Sequence, residues 1–473
     1  MDTRDAFLSQ RKRYLHLSSE ASRRKEVSVM NRKLMRMLIV AAYILLPVLI
    51  AAVALRNRSF LSAGPPFLGI VSYTWLLTGV IIASRPRFIE QYFSLDKLNR
   101  FHAIMAVVAL SIGVTHKLWV TLLWGWVYRY STIFGDLAII FFLTIAVLSA
   151  LILTNWFGRK KIVKTAKTTL KKYPIANYEK MKVVHNFNIL AATFLAIHVL
   201  TMTVIVQGDY IAAAILGGYF ALALGLYINH KFLKPVRLKK NLYTVTATKP
   251  ENGNVLEVHL KPDNGEVFPY QAGQFVFLRL YDPQYSSEEH PFSLISAPQD
   301  RDEVALAIKD SGDYTHRFQT LQPGVKASLE GPHGGMWHVQ EGMHDKTVSM
   351  VMFAGGIGIT PMLGILENSA RLQFPNRTVL VWSLKNREEF AFVDKLQSLK
   401  DRLPDFRLVP FYANESGFLD EGKIDTILQD NEIRYEAAEY LLCGPPPFMN
   451  AVEAVLLKKG VSKDCIHYET FGL

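Results

Sequence analysis

"HAIMAVVALSIGVTH", His102 to His116, sets two imidazoles at the ends of thirteen uncharged, mostly apolar residues. The stretch lies in one of six uncharged or nearly uncharged segments of spanning length: residues 37–55, 59–84, 101–128, 137–158, 183–207 and 210–229. A helix needs about 20 apolar residues to cross the hydrocarbon core of a bilayer, and each segment offers that. Six such windows in succession are more than the core of a water-soluble helical protein calls for. They predict a six-helix transmembrane bundle, at residues 37–232, behind a basic N-terminal segment, 1–36.

The composition divides in the same way. The chain has 473 residues, half of them hydrophobic, with a formal net charge of +12, but beyond about residue 235 it becomes charged, mixed and punctuated by Gly and Pro. Lys and Arg crowd one set of loops: ten before the first span, four between the second and third, nine between the fourth and fifth, and five after the sixth. The alternate loops hold only Arg56, Arg58 and Arg129. By the positive-inside rule both termini face the cytoplasm, and so does the whole second half. The basic excess is thus a topology signal, and no nucleic-acid partner is expected. The 36 mostly polar residues ahead of the first apolar run do not read as a signal peptide. Two cysteines, Cys443 and Cys465, allow neither a disulfide framework nor a cysteine-rich metal site.

Four of the thirteen histidines fall in spans, as two pairs: His102 and His116, fourteen apart, in the third, and His185 and His198, thirteen apart, in the fifth. Both spans run in the same direction, and at 1.5 Å per residue each pair covers about 20 Å. His102 and His185 therefore share the inner level, and His116 and His198 the outer. Ionisable groups inside a membrane are costly and point to function. Two imidazoles at one depth can bond between helices, or clamp one metal from opposite sides. A haem iron takes four ligands from its porphyrin and leaves two axial positions, so the pairing predicts two stacked bis-histidine haems. Fourteen residues return nearly to the same helix face; thirteen leave His185 and His198 about 140° apart on a regular helix. Either the fifth span is irregular or its imidazoles reach different sides of the bundle.

After Pro235 the strands begin. "YTVTATKP", "NVLEVHLKP", "QFVFLRLY" and "EVALAIKD" read as a small antiparallel β-barrel at residues 237–335. "TVSMVMFAGG", "TVLVWSLK", "FRLVPFYA" and "AAEYLLCGP" alternate with helical stretches, as a parallel α/β Rossmann-like domain at 346–473 does. In "HPFSLISAP", Phe292 and Ser293 suit a flavin ring and its ribityl chain or phosphate. In "IKDSGDYTH", Gly312 and Thr315 mark a turn whose N–H groups suit a diphosphate. "FAGGIGITP" follows a strand and opens a helix, so its N–H groups can face a pyrophosphate, although it departs from G-x-G-x-x-G. Lys385 and Arg387, after the next strand, are either solvated loop cations or partners of a 2′-phosphate. Cys443 and Gly444 end a later strand, where open α/β sheets bind ligands; a buried structural Cys is the other reading there.

Together these residues resemble the membrane branch of the ferredoxin–NADP reductase superfamily, the NADPH oxidases and ferric-chelate reductases. The histidine pairs, "HPFS", "GDYT", "GPHGG", "AGGIGITP" and "CGPPP" stand in that family's order. The resemblance implies that His290, Pro291, Phe292, Ser293, Gly312 and Thr315 bind FAD. It implies that Gly355, Gly356, Gly358, Thr360, Pro361, Cys443, Gly444 and Pro445 bind NADPH, with NADH as the alternative. Phe471 would cover the flavin until nicotinamide displaces it, although Gly472 and Leu473 follow it here. Cys443 and Phe471 are the expected residues at the point of hydride transfer, and His102, His116, His185 and His198 the expected iron ligands. The implied activity is transfer of electrons from cytoplasmic NADPH to O2, giving superoxide, or to chelated Fe(III) outside a bacterial plasma membrane. No obligatory protein partner is evident, and a conduit delivering to a quinone or partner protein is the further alternative.

Overall fold

The computed structural model describes residues 30–125, 130–152, 178–285, 288–342 and 347–470. They form two compact units: Met35–Ile89 with Lys97–Lys234, and Pro235–Leu473 with Glu90–Asp96 and the segment before residue 35.

The first unit is helical. Its six long helices are Met30–Ala54, Phe60–Ala83, Leu95–Trp124, Tyr130–Ile152, a fifth made of Tyr178–Asn186 and Asn188–Thr201, and Tyr210–Ile228. All six are long and apolar enough to cross a membrane. The third and fourth begin earlier than the apolar pattern suggests, which brings Gly135 and Asp136 into the fourth helix. Small side chains line the interior, among them Ala51, Ala138, Ala191, Ala192 and Ala212, and they let helix backbones approach closely. Buried hydroxyls find backbone partners: Ser72 donates to the Ala109 carbonyl at 2.8 Å, and Tyr73 to that of Leu216 at 2.9 Å. Large apolar side chains face outward instead, including Leu38, Ile44, Val107, Ile140, Val147 and Leu222. A water-soluble surface rarely carries so continuous an apolar covering.

The fifth helix is irregular between its two histidines. Phe187 interrupts it, and the amides of Phe187 and Leu190 bond three residues back, to Val184 and Phe187. Such 3₁₀ turns wind about 20° more per residue than an α-helix. The overwinding turns His198 back toward the face of His185, the sense that a spacing of thirteen requires. A π-helical turn, Met202–Val206, then follows.

The second unit holds two sheets. A six-stranded antiparallel sheet runs in the order β4-β3-β6-β1-β2-β5. Its strands are β1 Tyr243–Glu251, β2 Val255–Pro262, β3 Phe275–Leu280, β4 His290–Ser293, β5 Val304–Lys309 and β6 Lys326–His333. The sheet curls until Leu294, just past β4, bridges Leu306 of β5 at the opposite edge, around a core that includes Val258, Leu278, Ile308 and Phe318. The expected barrel is thus a curled sheet joined at its edges by one isolated bridge. A five-stranded parallel sheet follows, in the order β11-β10-β7-β8-β9. It consists of β7 Ser349–Gly355, β8 Thr378–Leu384, β9 Phe406–Tyr412, β10 Ala438–Cys443 and β11 Ile466–Glu469.

Candidate functional site

The chain winds outward from β7 through β8 and β9, then returns to build β10 and β11 on the other side. The order therefore reverses between β7 and β10, and the crevice beyond the carboxyl ends there is where open α/β sheets take ligands. "AGGIG" leaves β7 and "CGPPP" leaves β10 at that point, and Phe353 and Ala354 pair with Leu442 and Cys443. The two loops touch so closely that they need glycine. A Cβ on Gly358 would lie 2.2 Å from the Cys443 carbonyl oxygen, and one on Gly355 2.9 Å from Pro445 Cδ. Gly356 takes φ +53°, a left-handed value, and its carbonyl accepts from Trp382 Nε1 at 2.8 Å. Helix Ile359–Arg371 starts directly after this turn, with Thr360 and Pro361 buried in its first turn.

Cys443 is fully buried. Burial, and then the Glu469 carboxylate, push its thiol well above the ordinary range. The sulfur is held as a neutral thiol in the wall of the crevice. Phe471 lies outside the described residues.

Helix Ile359–Arg371 also reaches the first sheet. A Cβ on Gly364 would come 2.4 Å from the Leu294 carbonyl oxygen, so the helix rests on the backbone next to "HPFS". His290, Pro291, Phe292 and Ser293 form β4, an edge strand, with Ser293 buried and the other three half-buried. The His290 ring stacks on Tyr314 at 3.5 Å between centroids, and Tyr314 donates to the Glu288 carbonyl at 3.0 Å. This stack joins "HPFS" to the "GDYT" turn, where the Thr315 hydroxyl accepts from Ser311 N at 2.8 Å and donates to the Gly312 carbonyl at 3.2 Å. Thr315 thus closes the turn itself. Sequence reading missed Tyr314; its place between two motif glycine-turn residues was the available signal.

Of the candidate 2′-phosphate partners, Arg387 already makes a bidentate pair with Glu415, at 2.7 and 3.0 Å, and lies over the Tyr412 ring. The Lys385 amide donates to Glu389 at 3.0 Å. Glu415 was not foreseen, because β9 had to be placed beside β8 first.

In the helical unit, His102 and His185 face one another across helices three and five, with ring centroids 6.1 Å apart. Two metal–nitrogen bonds of about 2 Å, plus roughly 1 Å from each nitrogen to its ring centre, also total about 6 Å. The sequence gives no warning of what surrounds the four histidines. A Cβ on Gly79 would sit 3.3 Å from His102 Nδ1, one on Gly69 3.0–3.2 Å from the His116 ring, and one on Gly135 3.0 Å from His198 Nδ1. His185 Nδ1 instead meets Ser149 Oγ at 3.0 Å. Helix two thus cradles the histidines of helix three, and helix four those of helix five. Among the described residues no group of three or more His, Cys, Asp or Glu gathers as a metal site would. Arg56 and Lys117 pair with Asp209 and Asp136, at 2.9 and 2.6 Å.

Comparison with known proteins matches the family described as FAD-binding domain to residues 238–352 and that described as oxidoreductase NAD-binding domain to residues 352–454. A flavohemoprotein of Rhizobium meliloti (strain 1021) is 27% identical over 252 residues, 49% of this chain and 60% of the relative. Ferric reduction oxidase 7, chloroplastic, of Arabidopsis thaliana is 28% identical over 237 residues, 45% of this chain and 29% of the relative. The chain thus spans about three fifths of the flavohemoprotein's length and less of the plant protein's. The solved flavohem-like FAD/NAD-binding domain of nitric oxide dioxygenase from Vibrio cholerae O1 biovar El Tor is 22% identical, with a TM-score of 0.41, over 49% of this chain and 99% of that one. With both family matches falling on the two sheets just described, residues 238–454 make this chain an oxidoreductase that carries an FAD-binding and an NAD-binding domain.

Proposed function

We propose that the chain is a transmembrane oxidoreductase. It moves electrons from cytoplasmic NADPH, by way of FAD and two b-type haems, to oxygen at the outer face of a plasma membrane, giving superoxide. The observation that carries this reading is the opposed pair His102 and His185, 6.1 Å apart, inside helices long and apolar enough to span a bilayer. Bound flavin and haem supply the conversion of a two-electron donor into single-electron steps.

The chain's own residues hold and orient. Gly355, Gly356 and Gly358, facing Gly444 and Pro445, keep the β7–β10 crevice open for the nicotinamide. His290, Pro291, Phe292 and Ser293, with the turn at Gly312 and Thr315, form the flavin cradle, and Gly364 lets the nicotinamide helix lie against it. His102 and His185 would hold the inner iron, and His116 and His198 the outer one. A second reading keeps this path and ends on chelated Fe(III) instead of oxygen. The ferric reduction oxidase among the relatives favours it.

The test is the absorbance of the detergent-purified chain with added FAD, under argon, before and after NADPH. Reduced b-type bands, at about two haems per chain, support the proposal. Flavin bleaching without haem bands, in a folded chain, sinks it. Admitting oxygen or a ferric chelate to the reduced protein then separates the two readings.

A further inference from the structure

The histidines differ in what meets their second ring nitrogen. Nδ1 of His116 lies 2.7 Å from the carbonyl oxygen of Pro65, on helix two. Nδ1 of His185 lies 3.0 Å from Ser149 Oγ, on helix four. A carbonyl only accepts, so Nδ1 of His116 carries the proton and leaves the Nε2 lone pair to a metal. The same tautomer at His185 makes the Ser149 hydroxyl the acceptor.

We infer that the Pro65 carbonyl and the Ser149 hydroxyl are positioning groups. Each fixes the tautomer and donor strength of one ligand, one in each of the two sites. This rests on the haem reading above. An acceptor on the far nitrogen orients a metal-bound imidazole and raises its basicity, and a richer ligand favours ferric over ferrous iron. A peptide carbonyl is the stronger acceptor of the two, so His116 is made the more basic of these two ligands. Gly69 is part of this arrangement: a Cβ there would come 3.0–3.2 Å from three atoms of the His116 ring, so a methyl group moves the imidazole off the Pro65 carbonyl.

The experiment is a potentiometric titration of the full-length chain with both haems bound, followed by absorbance and by electron paramagnetic resonance of the ferric state. Ser149→Ala raises one midpoint and leaves the other in place. Ser149→Thr, which keeps an acceptor, holds both at their wild-type values. Gly69→Ala shifts the midpoint that Ser149→Ala leaves alone. Wild-type midpoints in Ser149→Ala, or a Ser149→Thr chain that behaves like the alanine variant, overturn the inference. So does a single midpoint that answers to both Ser149→Ala and Gly69→Ala. A wild-type chain that binds no haem overturns the haem reading with it, whereas two haems with unmoved midpoints sink this inference alone.

Discussion

At Gly358 a side chain has nowhere to go, with the Cys443 carbonyl 2.2 Å and the Gly444 nitrogen 2.9 Å from a Cβ. Gly358→Ala must therefore part the β7 and β10 loops. Overpacking of this kind costs about 1–3 kcal/mol, and here the strain falls on the crevice. The expected outcome is a raised KM for NADPH with normal FAD content; an unchanged KM would mean that the loops do not share a nicotinamide site. Glu415 calls for a different experiment. It holds the Arg387 guanidinium by two bonds, although both side chains are largely exposed and such pairs contribute little to stability. Glu415→Gln frees the cation for a 2′-phosphate, so the ratio of kcat/KM for NADPH over NADH rises severalfold while thermal stability stays put. A ratio that does not move would assign Arg387 to the protein surface alone. The turns and strand ends that carry the motifs were legible in the sequence because glycine turns and strand ends are local. Gly69, Gly79, Gly135 and Ser149 were not, since small residues are common throughout membrane helices, and only the register between helices shows which of them meet an imidazole.

Among the elements, helix Val393–Arg402 meets the curled sheet through charge. Its Lys395 reaches Glu257 of β2 at 2.8 Å, and His259 meets the same carboxylate at 3.2 Å. Burial alone would raise the Glu257 carboxyl, but the bonds and charges of His259 and Lys395 outweigh it and hold it at about 2. The bond to Glu257 in turn raises His259 above its ordinary 6.5, against the effect of burial. A depressed carboxyl adds stability above its ordinary 4.5 that is lost as pH falls toward about 2. A raised imidazole adds stability that is complete below 6.5 and lost as pH climbs through its folded value. The temperature at which flavin is released should therefore peak between these limits and fall on both sides. His259→Gln should flatten the alkaline limb, and an unaltered limb there would remove the histidine from the account. Lys395→Met should lower that temperature across the curve, the loss in stability being about 1–3 kcal/mol, because a buried carboxylate loses a partner. Strands such as β1, β2, β7 and β8 were legible from alternation and turn residues. β4 was read only as a motif because Pro291 argues against a strand except at an edge, and the edge is where it lies. β6 carries Gly331 and Pro332, and β11 has four residues, too few for a period to register.

For the whole molecule the decisive property is direction. The loops assigned to the cytoplasm carry ten, four, nine and five basic residues, and the others three in all, an asymmetry that sets orientation during insertion. If that orientation and the two histidine levels are both right, reducing power supplied on one face must appear on the other. The chain reconstituted in sealed vesicles, with NADPH added outside, engages only molecules whose FAD- and NAD-binding module faces outward. Ferricyanide trapped inside should then be reduced, and faster once an ionophore dissipates the charge that each electron carries across, worth about 2.3 kcal/mol per 100 mV. His116→Ala should abolish reduction of the trapped acceptor while ferricyanide outside is still reduced at the level of the flavin. Reduction confined to the outside in the wild-type chain would leave the six helices as an anchor for a flavin reductase. The ionophore response separates the alternatives most cleanly, because only a path that carries charge through the bilayer can feel the potential across it.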